Sequence, residues 1–344
     1  MRATPYVRVD PEIVDRNIVA MQAFCDSRGI VLRPHVKTHK SAEIAARQLA
    51  AGAVGLSVAT VGEAEVFADQ VAAAGKDLFL AYPVAADVPR VRAVAARVPL
   101  VVGVDSVEGV RRAADSGVAV SVEIDSGLAR SGVAPQDAAA LAEEARALGV
   151  PVRGVFTFPG HGYGVGRARA DAAADEARTL RAAAAEMRAT GVDDVVLSGG
   201  CTPTAALTGA GVTELRPGVY VLMDAGQLAL GAATYDQVAL TVRATVVSDA
   251  VPGQVVLDAG AKLLGMDRPA FVDGHGLLPD YPQARIARIW EHHAVVEVPD
   301  GAARPRLGER VTVVPNHVCA TVNLVDELVA GDEVWPVTAR GRNT

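Results

Sequence analysis

Short apolar runs alternate with longer stretches of helical period through the first two thirds of the chain. Strand-like runs occur at 31–36, 54–58, 78–82, 100–104, 118–124, 152–158, 194–198 and 213–216, and between most of them lie alanine-rich helical stretches, among them 61–74, 87–97, 107–115, 136–147 and 169–189. Alanine there supplies helix propensity and close packing. Ahead of these, 5–9 reads as a strand. Asp10-Pro11-Glu12 then opens a helix with a capping carboxylate, a proline at the first helical position and an acid in the first turn. Ile13, Val14, Ile18, Met21 and Phe24 keep the helical period until Gly29 ends it. Eight strand–helix alternations over roughly two hundred residues match the size of a (β/α)8 TIM-type barrel, typically ~250 residues. A doubly wound parallel sheet competes, because alternation does not prove closure; the count of eight favours the barrel.

After about residue 236 the pattern changes. Val238–Val247, Gln254–Leu257, Arg285–Ile289, His293–Val298, Arg310–Val314 and Glu333–Val337 are short β-branched runs separated by Gly, Pro and Asp turns. They predict a second, mostly antiparallel β-domain, and the strand at 5–9, which has no place in the barrel count, joins it. The expected domains are therefore a barrel over 28–236, and a β-domain made of 1–27 plus 237–344.

The chain has 344 residues, half of them hydrophobic and 21% charged, so a large core is available. A net charge of -7 argues against a nucleic-acid or anionic-membrane partner. Three widely spaced cysteines make no disulfide framework. No apolar leader segment follows Met1, and no run reaches the ~18 apolar residues of a membrane span. A soluble, cytoplasmic protein is expected.

Lysine is scarce: Lys37, Lys40, Lys76 and Lys262 are the only four. Two of them fall in Arg33-Pro34-His35-Val36-Lys37-Thr38-His39-Lys40, between a strand and a helix, where parallel α/β proteins place their chemistry. This run reads either as a solvated basic turn or as the seat of a Schiff-base lysine. The other strand ends carry Thr60, Tyr82, Asp105, Asp125 to Arg130, His161 to Tyr163, Ser198 to Thr202 and Arg216 to Tyr220. Small residues in Ser198-Gly199-Gly200-Cys201-Thr202 and in Arg216-Pro217-Gly218-Val219-Tyr220 leave backbone amides for a phosphate, although such glycines also serve plain tight turns. No G-x-x-x-x-G-K-[ST] loop is present. A lysine on one side and a phosphate cradle on the other suggest pyridoxal phosphate. Arg130 reads as a surface ion pair with Asp125 or as a cation for the cofactor's ring oxygen, and His161-Gly162-Tyr163 as a flexible loop or as ligand contacts.

Near the C-terminus stands Pro315-Asn316-His317-Val318-Cys319. In an extended segment residues i and i+2 share a face, so His317 and Cys319 can reach one ion, and imidazole with thiolate favours zinc. The plainer reading is a hydrogen-bonded histidine beside a free cysteine. His275, His292 and His293 are further candidate ligands.

Taken together, the 33–40 run, Val122-Glu123-Ile124-Asp125 with Arg130, Gly160-His161-Gly162-Tyr163, the two glycine turns and Pro315 to Leu324 resemble the D-threonine aldolase and metal-dependent, eukaryotic-type D-serine dehydratase family. That family has the alanine-racemase-like fold (type III) of pyridoxal phosphate enzymes. The resemblance runs from about residue 5 to 340. It implies that Lys37, rather than Lys40, carries pyridoxal 5'-phosphate, with Arg130 at the ring oxygen and Tyr163 near the ring. It likewise implies that Gly199, Thr202, Gly218 and Val219 hold the phosphate, that His317 and Cys319 bind a divalent metal beside the cofactor, and that the protein is a homodimer acting on a small D-amino acid. The aldolases of the family have an aspartate where this chain has Cys319, and use manganese or magnesium. His-x-Cys is the pattern of the zinc-dependent dehydratases. The expected activity is therefore dehydration of a D-β-hydroxy amino acid, D-serine first, to pyruvate and ammonia. The alternatives are a 3-hydroxyaspartate dehydratase, an aldolase of D-threonine or 3-hydroxy-D-aspartate, and a cofactor carrier without turnover.

Overall fold

The computed structural model describes residues 2–83 and 87–344. Contacts divide the chain into two compact units: Ile18–Lys37, Ile44–Gly218 and Gly341–Thr344 form one, and Met1–Asn17, Thr38–Glu43 and Val219–Arg340 the other.

In chain order the elements up to the end of the first unit are β1 (Tyr6–Val9), α1 (Pro11–Ser27), β2 (Val31–Leu32), α2 (Ala42–Ala50), β3 (Gly55–Val58), α3 (Val61–Ala73), β4 (Asp77–Pro83), α4 (Val88–Ala95), β5 (Leu100–Val104), α5 (Val107–Ser116), β6 (Ala119–Glu123), α6 (Ala138–Ala147), β7 (Val152–Phe156), α7 (Ala168–Ala189), β8 (Val196–Gly199), α8 (Thr202–Ala205) and β9 (Glu214–Leu215). Strands β2 to β9 form one parallel sheet in the order β2-β9-β8-β7-β6-β5-β4-β3. Its two ends meet through a His35–Ser57 bridge and through Val36 N–H to Ser57 O (2.9 Å) and Ser57 N–H to Pro34 O (2.8 Å). The strands thus make a nearly closed eight-stranded barrel. Every residue of β3 and β5 is buried, as expected of parallel strands covered on both faces.

Local chemistry sets the element ends. Thr60 and Ser106 cap α3 and α5 by accepting the Glu63 and Gly109 N–H groups, and Gly117 ends α5 in the left-handed region. The strand predicted at 31–36 is only β2 plus the His35 bridge, because Pro34 has no N–H to give a ladder.

The barrel interior is layered. Toward the strand starts, Arg33 donates to Asp77 (2.6 Å) and Glu214 (2.7 Å), and Arg153 binds the same two carboxylates at 2.6 and 3.0 Å. Above this lattice Phe79 and Phe156 meet edge to face at 5.0 Å. The Arg216 guanidinium lies over both rings, 5.4 and 5.2 Å from their centroids. Gly103 makes the room: a Cβ there would stand 2.7 Å from Phe156 Cζ.

The second unit is built on strands β10 (Leu240–Ser248), β11 (Gln254–Leu257), β12 (Arg285–Ile289), β13 (Ala294–Glu297), β14 (Arg310–Val313), β15 (Glu327–Ala330) and β16 (Glu333–Pro336) together with β1. The order is β12-β13-β11-β10-β1-β15-β16, with β14 also pairing β10. All pairs are antiparallel except β1 with β15. The strand near the N-terminus thus joins the second sheet, as its pattern predicts. Residues 219–236, which the sequence pattern places with the barrel, are tied to this sheet: Ala239 N–H donates to Leu222 O (2.8 Å), and Ala225 N–H to Pro315 O (3.0 Å). Among the described residues no helix is long and apolar enough to cross a membrane.

Candidate active site

In the barrel unit, Lys37 lies in the turn that follows the barrel's closing bridge. Its Nζ is 5.5 Å from the centroid of the Phe158 ring, and the Arg130 guanidinium lies over the same ring at 5.2 Å. Tyr163 completes the group, its ring 6.4 Å from that of Phe158. Three residues expected from sequence, Lys37, Arg130 and Tyr163, thus converge on Phe158, which the sequence reading had only as the end of a strand run.

The loop bearing Arg130 is pinned from within. The Asp125 carboxylate accepts the N–H groups of Gly127 (2.9 Å) and Ala129 (3.0 Å), Ala129 has φ +56°, and Ile124 bridges Val133. Asp125 is therefore the loop's internal cap, and not the ion-pair partner considered for Arg130. That partner is the buried Glu123, 3.9 Å away. Burial pushes the Glu123 carboxyl up, against the pull of the Ser131 hydroxyl and Arg130. His161 packs under Gly127; its ring nitrogens make no hydrogen bond among the described residues, and Asp175 stands 3.5 Å from Nε2. Thr60 and Asp105 are occupied structurally, Thr60 as the cap of α3 and Asp105 as an acceptor for Gly132 N–H at 3.4 Å.

The 198–202 turn is backed by Glu176 of α7, which has no exposed surface. One carboxylate oxygen accepts the Gly200 N–H, while the other has no hydrogen-bond partner among the described residues. A Cβ at Gly199 would come within 2.6 Å of Glu176 Cδ, so this position needs glycine for packing. Gly200 has φ +83°. Thr202 is buried at the start of α8. Arg216 donates to Ser198 Oγ and Thr157 O (2.6 Å); burial lowers its guanidinium to about 10 despite Glu214, Glu176 and Glu123. Among the described residues neither the Gly218 nor the Val219 N–H donates to a backbone acceptor.

Burial raises Glu176 to about 7, against Gly200 N–H and Arg216, which lower it. Between the ordinary value of 4.5 and about 7 the unfolded chain ionises this group and the folded chain does not, so the fold holds the extra proton. Stability should fall by roughly 3 kcal/mol as pH rises through that window. Glu176→Gln should remove this part of the slope, read from urea midpoints at pH 5 and pH 8.

In the sheet unit, His317 is extended (φ -146°, ψ 107°) and immediately precedes a short helix, α9 (Val318–Asn323), that contains Cys319. The extended segment predicted for both residues is therefore wrong beyond His317: Val318 N–H donates to Asp224 (3.1 Å), and the chain turns helical at once. Cys319 Sγ still lies in reach of a hydroxyl, donating to Thr38 Oγ1 at 3.3 Å, and Thr38 follows Lys37 in the chain. Lys40 Nζ donates to Asn323 Oδ1 (2.9 Å), at the far end of the same helix. His317 Nδ1 is 2.7 Å from Asp267 Oδ2. Burial works against a charge on His317, but Cys319, Asp224 and Asp267 outweigh it and lift the imidazole to about 10. Burial also pushes Asp224 up to about 6. These surroundings favour the protonated imidazole; once it has lost that proton, imidazole with thiolate is a donor set for zinc. No cluster of three or more His, Cys, Asp or Glu suited to a metal exists among the described residues. His275, His292 and His293 do not join His317 and Cys319. Sequence reasoning passed over Asp267, Asp224 and Glu176 because they contribute only through contacts distant in the chain.

Residues 9–226 match the family described as alanine racemase, N-terminal domain, and residues 239–330 match a putative serine dehydratase domain. The chain is 36% identical to the D-threo-3-hydroxyaspartate dehydratase of Delftia sp. (strain HT23), over 92% of this chain and 91% of that one. It is 34% identical to a D-threonine aldolase of Arthrobacter sp., over 98% and 93%. The solved structure of the Delftia dehydratase superposes with a TM-score of 0.87 over 98% of this chain and 97% of that one, at 32% identity, and a variant of it has been solved in a metal-free form. With a nearly closed parallel barrel followed by an antiparallel sheet, and relatives of this kind along nearly its whole length, the chain belongs to the alanine racemase N-terminal domain family, in its form joined to a serine dehydratase domain.

Proposed function

We propose that this protein is a pyridoxal phosphate- and zinc-dependent dehydratase of D-β-hydroxy amino acids, converting D-serine to pyruvate or a 3-hydroxy-D-aspartate to oxaloacetate, with release of ammonia. The observation that carries the choice of reaction is Cys319 following His317: a thiol stands where the aldolases of this family have a carboxylate, and the similarity to the Delftia dehydratase points the same way. The similarity to an Arthrobacter D-threonine aldolase keeps cleavage to glycine and an aldehyde as the second reading.

When bound, pyridoxal phosphate supplies a carbonyl for an amine and a ring that spreads charge from Cα, and the metal supplies a Lewis acid for the β-hydroxyl. Lys37 would hold the cofactor through its carbonyl carbon, and its Nζ is the base that would take the Cα proton. Phe158 gives that amine an apolar neighbour, and Arg130, over the same phenyl ring, would supply a cation for the cofactor's ring oxygen. Thr202, Gly218 and Val219 would hold the phosphate through one hydroxyl and backbone amides, and Gly199 keeps its turn closed on Glu176. His317 and Cys319 would hold the metal.

With cofactor and zinc present, the purified protein should release 2-oxo acid and ammonia from D-serine, from D-threo-3-hydroxyaspartate, or from both. Glycine and acetaldehyde from D-threonine, without any 2-oxo acid from the other two, would establish the aldolase reading instead. His317→Ala and Cys319→Ala should each keep the near-visible absorbance of the lysine-bound cofactor while losing zinc and about 100-fold or more of turnover. Full turnover after exhaustive chelation would remove the metal from the reaction. The homodimer implied by the family resemblance is checked by light scattering on the holoenzyme.

A further inference from the structure

We infer that Asp267 is a positioning residue for the metal pair: it holds the His317 Nδ1 proton in a hydrogen bond and so assigns Nε2 as the nitrogen that binds the ion. This deepens the proposed function and rests on its reading of His317 and Cys319 as ligands. The distance between Asp267 Oδ2 and His317 Nδ1 is 2.7 Å. Were both atoms bound to one zinc at ordinary lengths of about 2.1 Å and a tetrahedral angle, they would stand roughly 3.4 Å apart. A separation of 2.7 Å is that of a charge-assisted hydrogen bond. Asp267 is thus a partner of the ligand rather than a ligand itself, and an imidazole whose Nδ1 carries the shared proton has only Nε2 left to coordinate.

The backbone that carries Asp267 is held from several sides. Asn316, buried and next to His317 in the chain, donates its Nδ2 to Asp267 O (2.9 Å) and to Gly274 O (3.0 Å). Thr321 Oγ1, one turn into α9, donates to Leu264 O (3.2 Å). Between these ties Gly265 (φ +81°) runs so close to the helix that a Cβ would stand 3.1 Å from Ala320 Cβ. The 264–267 segment is therefore laced to the very turn that carries His317 and Cys319, which sets the Asp267 backbone beside His317 and within side-chain reach of its ring. Asp267 and His317 are each a little under half exposed, so an ion from solvent can reach the pair.

The test measures zinc binding to the cofactor-loaded protein by competition with a chromophoric chelator, for wild type, D267A, D267N and H317A. D267A should weaken zinc binding by about 10- to 100-fold, and D267N, whose amide oxygen still accepts from Nδ1–H, should recover a substantial part of it. In the zinc-loaded protein labelled with 15N-histidine, long-range proton–nitrogen spectra should show His317 protonated at Nδ1 in wild type and D267N, and a mixture of ring forms in D267A. The near-visible absorbance of the bound cofactor should be the same in all four proteins, which separates a local effect from misfolding. Zinc uptake that depends on His317 but is unchanged in D267A, or a wild-type spectrum with the proton on Nε2, overturns the inference while leaving the metal reading in place. Uptake that H317A does not alter overturns the metal reading and this inference with it.

Discussion

Replacing Lys37 with alanine should abolish the near-visible absorbance that pyridoxal phosphate acquires on a lysine, and lower turnover on the order of 10^4-fold or more. In the proposed reaction one amine would both anchor the cofactor and move the Cα proton, so its loss would remove two functions at once. Lys40→Ala is the discriminating control. Its Nζ is committed to Asn323, its carbonyl accepts the Ala339 N–H (2.9 Å), and its backbone is left-handed at φ +48°. That variant should lose stability but keep the absorbance. Borohydride reduction of the holoenzyme followed by peptide mapping should place the label on Lys37, and a label on Lys40 would refute the assignment.

The largest expected loss of stability comes from Arg33→Met, at about 3–5 kcal/mol. Arg33 is 1% exposed and bridges Asp77 and Glu214, the latter equally buried. Burial works against both charges, yet Glu214 and Asp77 hold the Arg33 guanidinium up, while Arg33 and Arg153 hold the Glu214 carboxyl below its usual range. The lowered Glu214 contributes stability above the ordinary carboxylate range that is lost as pH falls through it. Removing Arg33 leaves Glu214 with Arg153 and Ser198 alone, so the loss should be greater at pH 8 than at pH 5. Urea denaturation of the two proteins at both pH values measures it. A loss below 1 kcal/mol at pH 8 would mean that Arg153 alone neutralises the lattice.

Much of the architecture was legible because it is written in local periodicity. Eight apolar runs became eight strands, and the first strand, left over from the barrel count, pairs with β10 and β15. The lysine at the end of the first barrel run was legible from scarcity and position. The helical turn after His317 was not: over four residues an alternating pattern and a helix start look alike, and the Asp224 carboxylate that caps the turn lies 94 residues earlier. Phe158, Glu176 and Asp267 were missed for the same reason. Each acts through one contact that only the fold creates, and a lone phenylalanine, an acid inside an alanine-rich helix or an aspartate beside an arginine has no distinguishing signal in the chain. Gly199 shows the converse, a residue noticed for its lack of side chain whose visible reason is the Glu176 carboxylate packed against it.

The way the cylinder is joined has a consequence for its synthesis. Val31 and Leu32 pair with Glu214 and Leu215, so the ring stays open until the last of its strands has left the ribosome. Until then Arg33 lacks its Glu214 partner, and strands two and eight are bare edges exposed to wrong pairing. Long-range closure of this kind is slow. The lysine hanging just past the seam is therefore among the last groups to be fixed in place, and a nascent chain that ends before Leu215 has no finished seat for the proposed cofactor, however complete the seven strands before it.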